Sequence, residues 1–166
     1  MRQPTLSILI LAASLATPVL AQAKPPVAET STDRIDRASG GSLANVKVVG
    51  ETYKEITYRI KGSARAMKIP TDEVVDVTRA DTPRALREGK SKALAGDLKG
   101  ALAPLQLAAR NNTPWVKEYA NFYLGEIHAR LGKADEAVRA YEAVLAAKPD
   151  SRFLPRVRLG IAAAWT

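Results

Sequence analysis

The feature that most constrains what this chain can fold into is a self-similarity at one spacing. Gly89 recurs as Gly125, Gly96 as Gly132, Ala101 as Ala137 and Leu105 as Tyr141, each pair 36 residues apart. Four coincidences at a single offset mark a structural unit used more than once, and a period of this length means stacked supersecondary units. The segment that carries them, 81–166, is rich in Ala, Leu, Lys and Arg, which makes the unit helical.

The spacing inside the unit has a physical explanation. Leu124-Gly125 falls in a first helix, where the absent side chain of Gly125 lets a second helix approach closely. Gly132 lies where the chain must leave that helix and turn. Ala137 puts a methyl group at the helix crossing, Tyr141 fills the space one turn later, and Pro149 stops the second helix.

These residues, Leu124-Gly125, Gly132, Ala137, Tyr141 and Pro149, resemble the signature of the tetratricopeptide repeat. A first copy, about Thr82 to Asn111, keeps Gly89, Gly96-Asp97, Ala101 and Ala108. It differs in having Glu88 where the family has Leu, and Pro104 within its second helix, which predicts a kink near Gly100. The offset exceeds the usual period of about 34 residues, and the excess falls in the turn Asn111-Asn112-Thr113-Pro114. A third copy begins at Ser151, with Leu159-Gly160 repeating Leu124-Gly125, and has its first helix alone before Thr166.

The resemblance implies antiparallel helix pairs whose first helices line a concave ligand face. Carried onto this chain, that face comprises Leu86, Lys90 and Leu94 in the first unit, Tyr119, Phe122, Glu126 and Arg130 in the second, and Val157 and Ile161 in the third. It lacks the Lys and Asn pair with which some family members hold a terminal carboxylate. The implied ligand is an extended or helical protein segment with apolar anchors. Arrays of this kind need about three units for stability. Two and a half units therefore predict a lid helix, packing on the preceding domain, weak self-association, or a longer protein of which this is the front part. The last is favoured, because Ala162, Ala163 and Trp165 otherwise lack a helix to pack against.

Residues 33–80 follow a different period. Short alternating segments occur near Ile35, from Leu43 to about Glu51, from Glu55 to Ile60, from Ala66 to Ile69 and from Val74 to Thr78. Lys61-Gly62-Ser63 and Pro70-Thr71-Asp72-Glu73 supply turns. Five short strands with one buried face predict a closed or nearly closed small barrel, since closure protects edges. The layout resembles the SH3-like and Sm-like barrels, which elsewhere bind peptides, RNA or cell-wall polymers.

Residues 1–23 have the order of a signal peptide: one cation, Arg2, an apolar stretch from Leu6 to about Leu15, and Ala21-Gln22-Ala23 before the expected cleavage. Thr17-Pro18 interrupts the run short of the ~20 residues that span a bilayer. Residues 24–32, with Pro25-Pro26, read as a linker. The mature chain is then expected in the periplasm or outside the cell, without a membrane span. Its net charge falls from +8 to +7 with the loss of Arg2. The cations are dispersed among acids, which favours solubility over a dedicated patch, and no nucleic-acid partner is expected.

Catalytic chemistry finds little material. The absence of cysteine removes disulfides, thiolate metal sites, a cysteine nucleophile and a lipid-bearing cysteine. The single histidine, His128, lies at a helical core position with no positioned nucleophile beside it in sequence. Gly96-Asp97-Leu98-Lys99-Gly100 is an interhelical turn by its place in the repeat, and Asp135-Glu136 are first-turn acids that suit the helix dipole. The reading is an α+β chain, a small barrel followed by helical repeats, without cofactor or metal, acting as an exported non-catalytic adaptor for a protein in the cell envelope. The alternative is a binder of anionic cell wall or lipid through Lys47, Lys54, Arg59, Lys61, Arg65 and Lys68. An enzyme with its catalytic domain beyond Thr166 is a third reading.

Overall fold

A computed structural model describes residues 32–165. The expected leader, and the linker except for its last residue, lie outside the described residues. Two apolar clusters organise the described chain, one within a five-stranded antiparallel sheet and one within five helices.

The sheet comprises β1 (Asp33–Arg37), β2 (Ser42–Glu51), β3 (Glu55–Ile60), β4 (Ala66–Pro70) and β5 (Val74–Thr78), with a single 3-10 turn, Thr71–Glu73, between the last two. Their hydrogen-bonded order is β4-β3-β2-β1-β5. The sheet is open, with β4 and β5 as its edges, where the strand spacing predicts a closed or nearly closed barrel. What the alternation does determine is the buried face: Ile35, Val46, Val48, Ile56, Tyr58, Ile69, Val74 and Val77 form the core. A core this small is marginal on its own, and polar ties reinforce it. The buried Asp33 carboxylate accepts from the Val48 and Ala80 N–H groups at 2.8 and 2.9 Å, fixing β1 to β2 and to the chain leaving β5.

Two irregularities in β2 decide what the sheet presents. Asn45 has a φ of 57°, at a register shift against β1. A second shift, between Val48 and Gly50 opposite β3, brings Glu51 onto the buried face in place of Gly50. A bulge of this kind re-aims every side chain after it.

The helices are α1 (Arg84–Leu94), α2 (Leu98–Ala109), α3 (Pro114–Arg130), α4 (Ala134–Ala147) and α5 (Leu154–Ala163). Each packs on the next, and α3 also touches α1 and α5. The short connections make α1–α2 and α3–α4 helical hairpins. Gly96 and Gly132, with φ of 85° and 69°, sit in the two turns, a conformation that other residues adopt with strain. Asp97 caps α2 by accepting from the Gly100 N–H at 2.9 Å, and Asp135 and Glu136 lie in the first turn of α4. Ahead of α1, the Thr82 hydroxyl donates to the Arg79 carbonyl. α2 stays one helix through Pro104.

The repeated small residues carry the packing. A Cβ on Gly89 would lie 2.5 Å from the Leu105 side chain, and one on Gly125 2.5 Å from the Tyr141 ring. A Cβ on Gly160 would meet the other edge of that ring at 2.4 Å, so Tyr141 is held between α3 and α5. Ala101 and Ala137 are fully buried, Leu124 is buried, and Pro149 follows the end of α4. Among the described residues no helix is long and apolar enough to cross a membrane.

Candidate functional site

The residues assigned to a concave face divide by burial. Leu86, Tyr119, Phe122 and Val157 are buried, so their side chains build the array and a partner does not reach them in this conformation. Phe122 stacks on Phe153 with ring centres 4.0 Å apart and parallel planes, beneath the Arg156 guanidinium. Glu126 is half-buried between the Tyr141 hydroxyl, which donates to it at 3.2 Å, and Arg156 at 2.8 Å. Ile161 is partly buried against the helical core. Leu94 and Arg130 are exposed.

Lys90 faces the sheet. Its ammonium donates to both oxygens of Asp76 on β5 at 2.7 Å, which identifies the sheet as the neighbour of this side of α1. The same holds further along the array. Tyr119 on α3 donates its hydroxyl to Glu51 at 2.6 Å; Arg79, just after β5, grips Glu51 with Nε and Nη2 at 3.1 and 2.6 Å and lies over the Trp115 ring. Arg152, before α5, reaches Glu51 at 3.4 Å and the Tyr119 hydroxyl at 3.3 Å. The Tyr53 N–H donates to the Asp150 carbonyl at 3.0 Å. The sheet is therefore seated on part of the face assigned to a partner, through a buried ionic cluster.

The electrostatics of this junction are those of a seal. Burial holds the Tyr119 hydroxyl well above the usual phenol range, and the Glu51 carboxylate adds to the effect, so the phenol remains a donor. Tyr123 is pushed up to about 12, chiefly by burial and further by Asp76. A second buried acid, Glu118, accepts from the Ser151 hydroxyl at 2.6 Å, and burial raises its pKa. One carboxylate shared by two guanidinium groups and a phenol is satisfied on both oxygens, and nothing in that arrangement presents an activated base to solvent. His128 is half-buried, its Nδ1 has no hydrogen-bond partner, and burial lowers its pKa. Among the described residues no three His, Asp or Glu side chains converge as a metal site would require.

The sequence reading missed Glu51, Asp76, Arg79, Arg152 and Trp165. Glu51 was hidden by the bulge, because strict alternation places Gly50 inward. Trp165 was readable: it stands 35 residues after Arg130, the offset that also relates Gly160 to Gly125, and Arg130 stands 36 after Leu94. Leu94 and Arg130 are the last residues of α1 and α3, and Trp165 lies two residues past the end of α5. All are exposed, Leu94 and Trp165 both at 72%. Comparison with family models, with curated proteins and with solved structures finds no match to this chain.

Proposed function

We propose that this chain is an exported, non-catalytic adaptor of the tetratricopeptide-repeat type, in which a small open sheet of SH3-like or Sm-like layout precedes two and a half helical units. The observation that carries the reading is the repeated clasp of a glycine on the first helix against a large residue on the second, Gly89 on Leu105 and Gly125 on Tyr141, with Gly160 closing on Tyr141 from the next unit. For that layout, the support is the position of β1 between β2 and β5, the positive φ of Asn45 within β2 and the 3-10 turn before β5.

The partner is a protein segment of the cell envelope. With Lys90 committed to Asp76 and four of the apolar positions in the core, its contacts are Leu94, Arg130 and Trp165, with Glu126 and Ile161 on the rim. An apolar residue at each end and a cation between them fit a segment whose apolar anchors flank an acid. Exchanging Leu94→Asp together with Arg130→Glu changes two exposed side chains, so the helical circular dichroism is expected to stay and capture of the partner from an envelope extract to be lost. Undiminished capture by the doubly substituted chain would remove this face from consideration.

A further inference from the structure

The β2–β4 part of the sheet carries charge that the fold does not use. From Ser42 to Pro70 there are six cations and two acids. Both acids are engaged: Glu51 at the helical junction, and Glu55 with Lys68 at 2.6 Å. Lys54 lies over the ring of Tyr53 in the β2–β3 turn. The remaining four, Lys47, Arg59, Lys61 and Arg65, have no carboxylate within ion-pair distance among the described residues. Lys47 and Arg59 are direct cross-strand partners. Like charges opposed in this way oppose sheet formation, so the placement costs stability and returns none to the fold.

The same end of the sheet exposes apolar side chains. Ile60 pairs with Val46 and Met67 with Tyr58, both on the face that elsewhere forms the core, yet Ile60 is 46% and Met67 39% exposed. They flank the turn Lys61–Arg65. The tip of the β3–β4 hairpin therefore presents Ile60 and Met67 on one face, Lys47 and Arg59 on the opposite face, and Lys61 and Arg65 in the turn between the strands.

We infer that this tip docks on an anionic lipid surface, with Lys47, Arg59, Lys61 and Arg65 at the headgroup phosphates and Ile60 and Met67 at the acyl boundary. Cations beside exposed apolar residues are the combination that holds a protein at such an interface. A soluble polyanion would answer the charge and leave Ile60 and Met67 in water, and a single-stranded nucleic acid would want a stacking aromatic where this tip has none. The inference stands apart from the adaptor reading, because it uses the far end of the sheet from the helices.

The chain has no cysteine, so Ile60→Cys in the full chain offers one labelling site for an environment-sensitive fluorophore. Vesicles of phosphatidylcholine containing phosphatidylglycerol are expected to shift its emission to the blue, phosphatidylcholine alone to leave it unchanged, and salt of about 0.5 M to reverse the shift. Arg59→Glu with Lys61→Glu in the same labelled chain is expected to weaken the response roughly tenfold or more. Met67→Cys is the second reporting position, should label at position 60 disturb the melting transition. An unshifted label at both positions in the presence of anionic vesicles overturns the inference, whether or not the chain sediments with them. So does an equal shift with neutral vesicles, or full binding by the charge-reversed chain. Binding of polyphosphate without any vesicle response assigns the cations to a soluble polyanion and overturns it as well.

Discussion

The two helical hairpins share a plan and differ in how firmly each is held. In α1–α2 the clasp is Leu105 on Gly89, an aliphatic side chain packed on the helix of its own hairpin. In α3–α4 the filling is the Tyr141 ring, covered by Gly125 on one side and Gly160 on the other, with its hydroxyl tied to Glu126. α1 buries Leu86, Gly89 and Ala93, whereas α3 buries residues around most of its circumference, from Val116 to Ile127. The second hairpin has neighbours on both sides and the sheet as well; the first relies on α3 and on the Lys90 tether to Asp76. The two hairpins thus rest on unequal interfaces, so identical substitutions in them should have unequal consequences.

The largest difference is expected at the equivalent positions 86 and 122, both buried. Phe122→Ala should cost about 3–5 kcal/mol, because its stacking partner Phe153 belongs to the chain entering α5 and the cavity opens in the middle of the array. Leu86→Ala, at the end, should fall toward the lower part of the range of about 2–5 kcal/mol, since a terminal helix collapses more readily onto a void. Urea unfolding with the slope held common would read both, and equal losses would mean that the two hairpins are held alike.

A smaller contrast lies in the clasps. Gly125→Ala drives a methyl group into a ring that Gly160 prevents from retreating, for a net cost of about 1–3 kcal/mol. Gly89→Ala meets Cγ of Leu105 at 2.5 Å, but no glycine of a further helix backs that side chain, so it can turn aside, and the helix-propensity gain of up to about 1 kcal/mol offsets part of the strain. Adding Tyr141→Leu to Gly125→Ala copies the filling of the first hairpin and is expected to recover part of the loss. A double variant no better than the single one would show that the ring is not what obstructs position 125.

Helical periodicity and the 36-residue offset made the helices and their turns legible, because both depend on residues within one unit: Gly96, Gly132, Ala101 and Ala137 stand where their chemistry requires. The five strands were legible for the same local reason. The face of each first helix was not. Leu86, Tyr119, Phe122 and Val157 lie on helices whose exposure depends on what sits opposite, and the occupants are the chain around Phe153 and the sheet. Nothing in the spacing of either half announces that Glu51 will meet Arg152 across 101 residues. The shift at Val48 and Gly50 that turns Glu51 inward is settled by pairing with β3, not by β2 alone.

The smallest expected effect tests another asymmetry between the hairpins. Glu118 is buried in α3, and the position one repeat earlier is Thr82, outside α1. Burial raises the Glu118 pKa above its ordinary 4.5, outweighing the hydrogen bond from Ser151 and the charge of Lys148. Between 4.5 and the higher folded value the native chain keeps a proton that the unfolded chain has released. The contribution of Glu118 to stability is therefore fully present below 4.5 and is lost as pH rises through the folded pKa. Glu118→Gln keeps an acceptor for the Ser151 hydroxyl and has no charge to desolvate. The urea midpoints of the two chains should therefore coincide near pH 4.5 and separate upward, the variant being the more stable at neutral pH. His128, whose pKa burial lowers, acts with the opposite sign as pH falls below about 6.5, but it is common to both chains and leaves the difference between them unchanged. Parallel midpoint curves across this range would mean that Glu118 is charged in the folded chain as readily as in the unfolded one, and that the second hairpin bears no electrostatic cost that the first avoids.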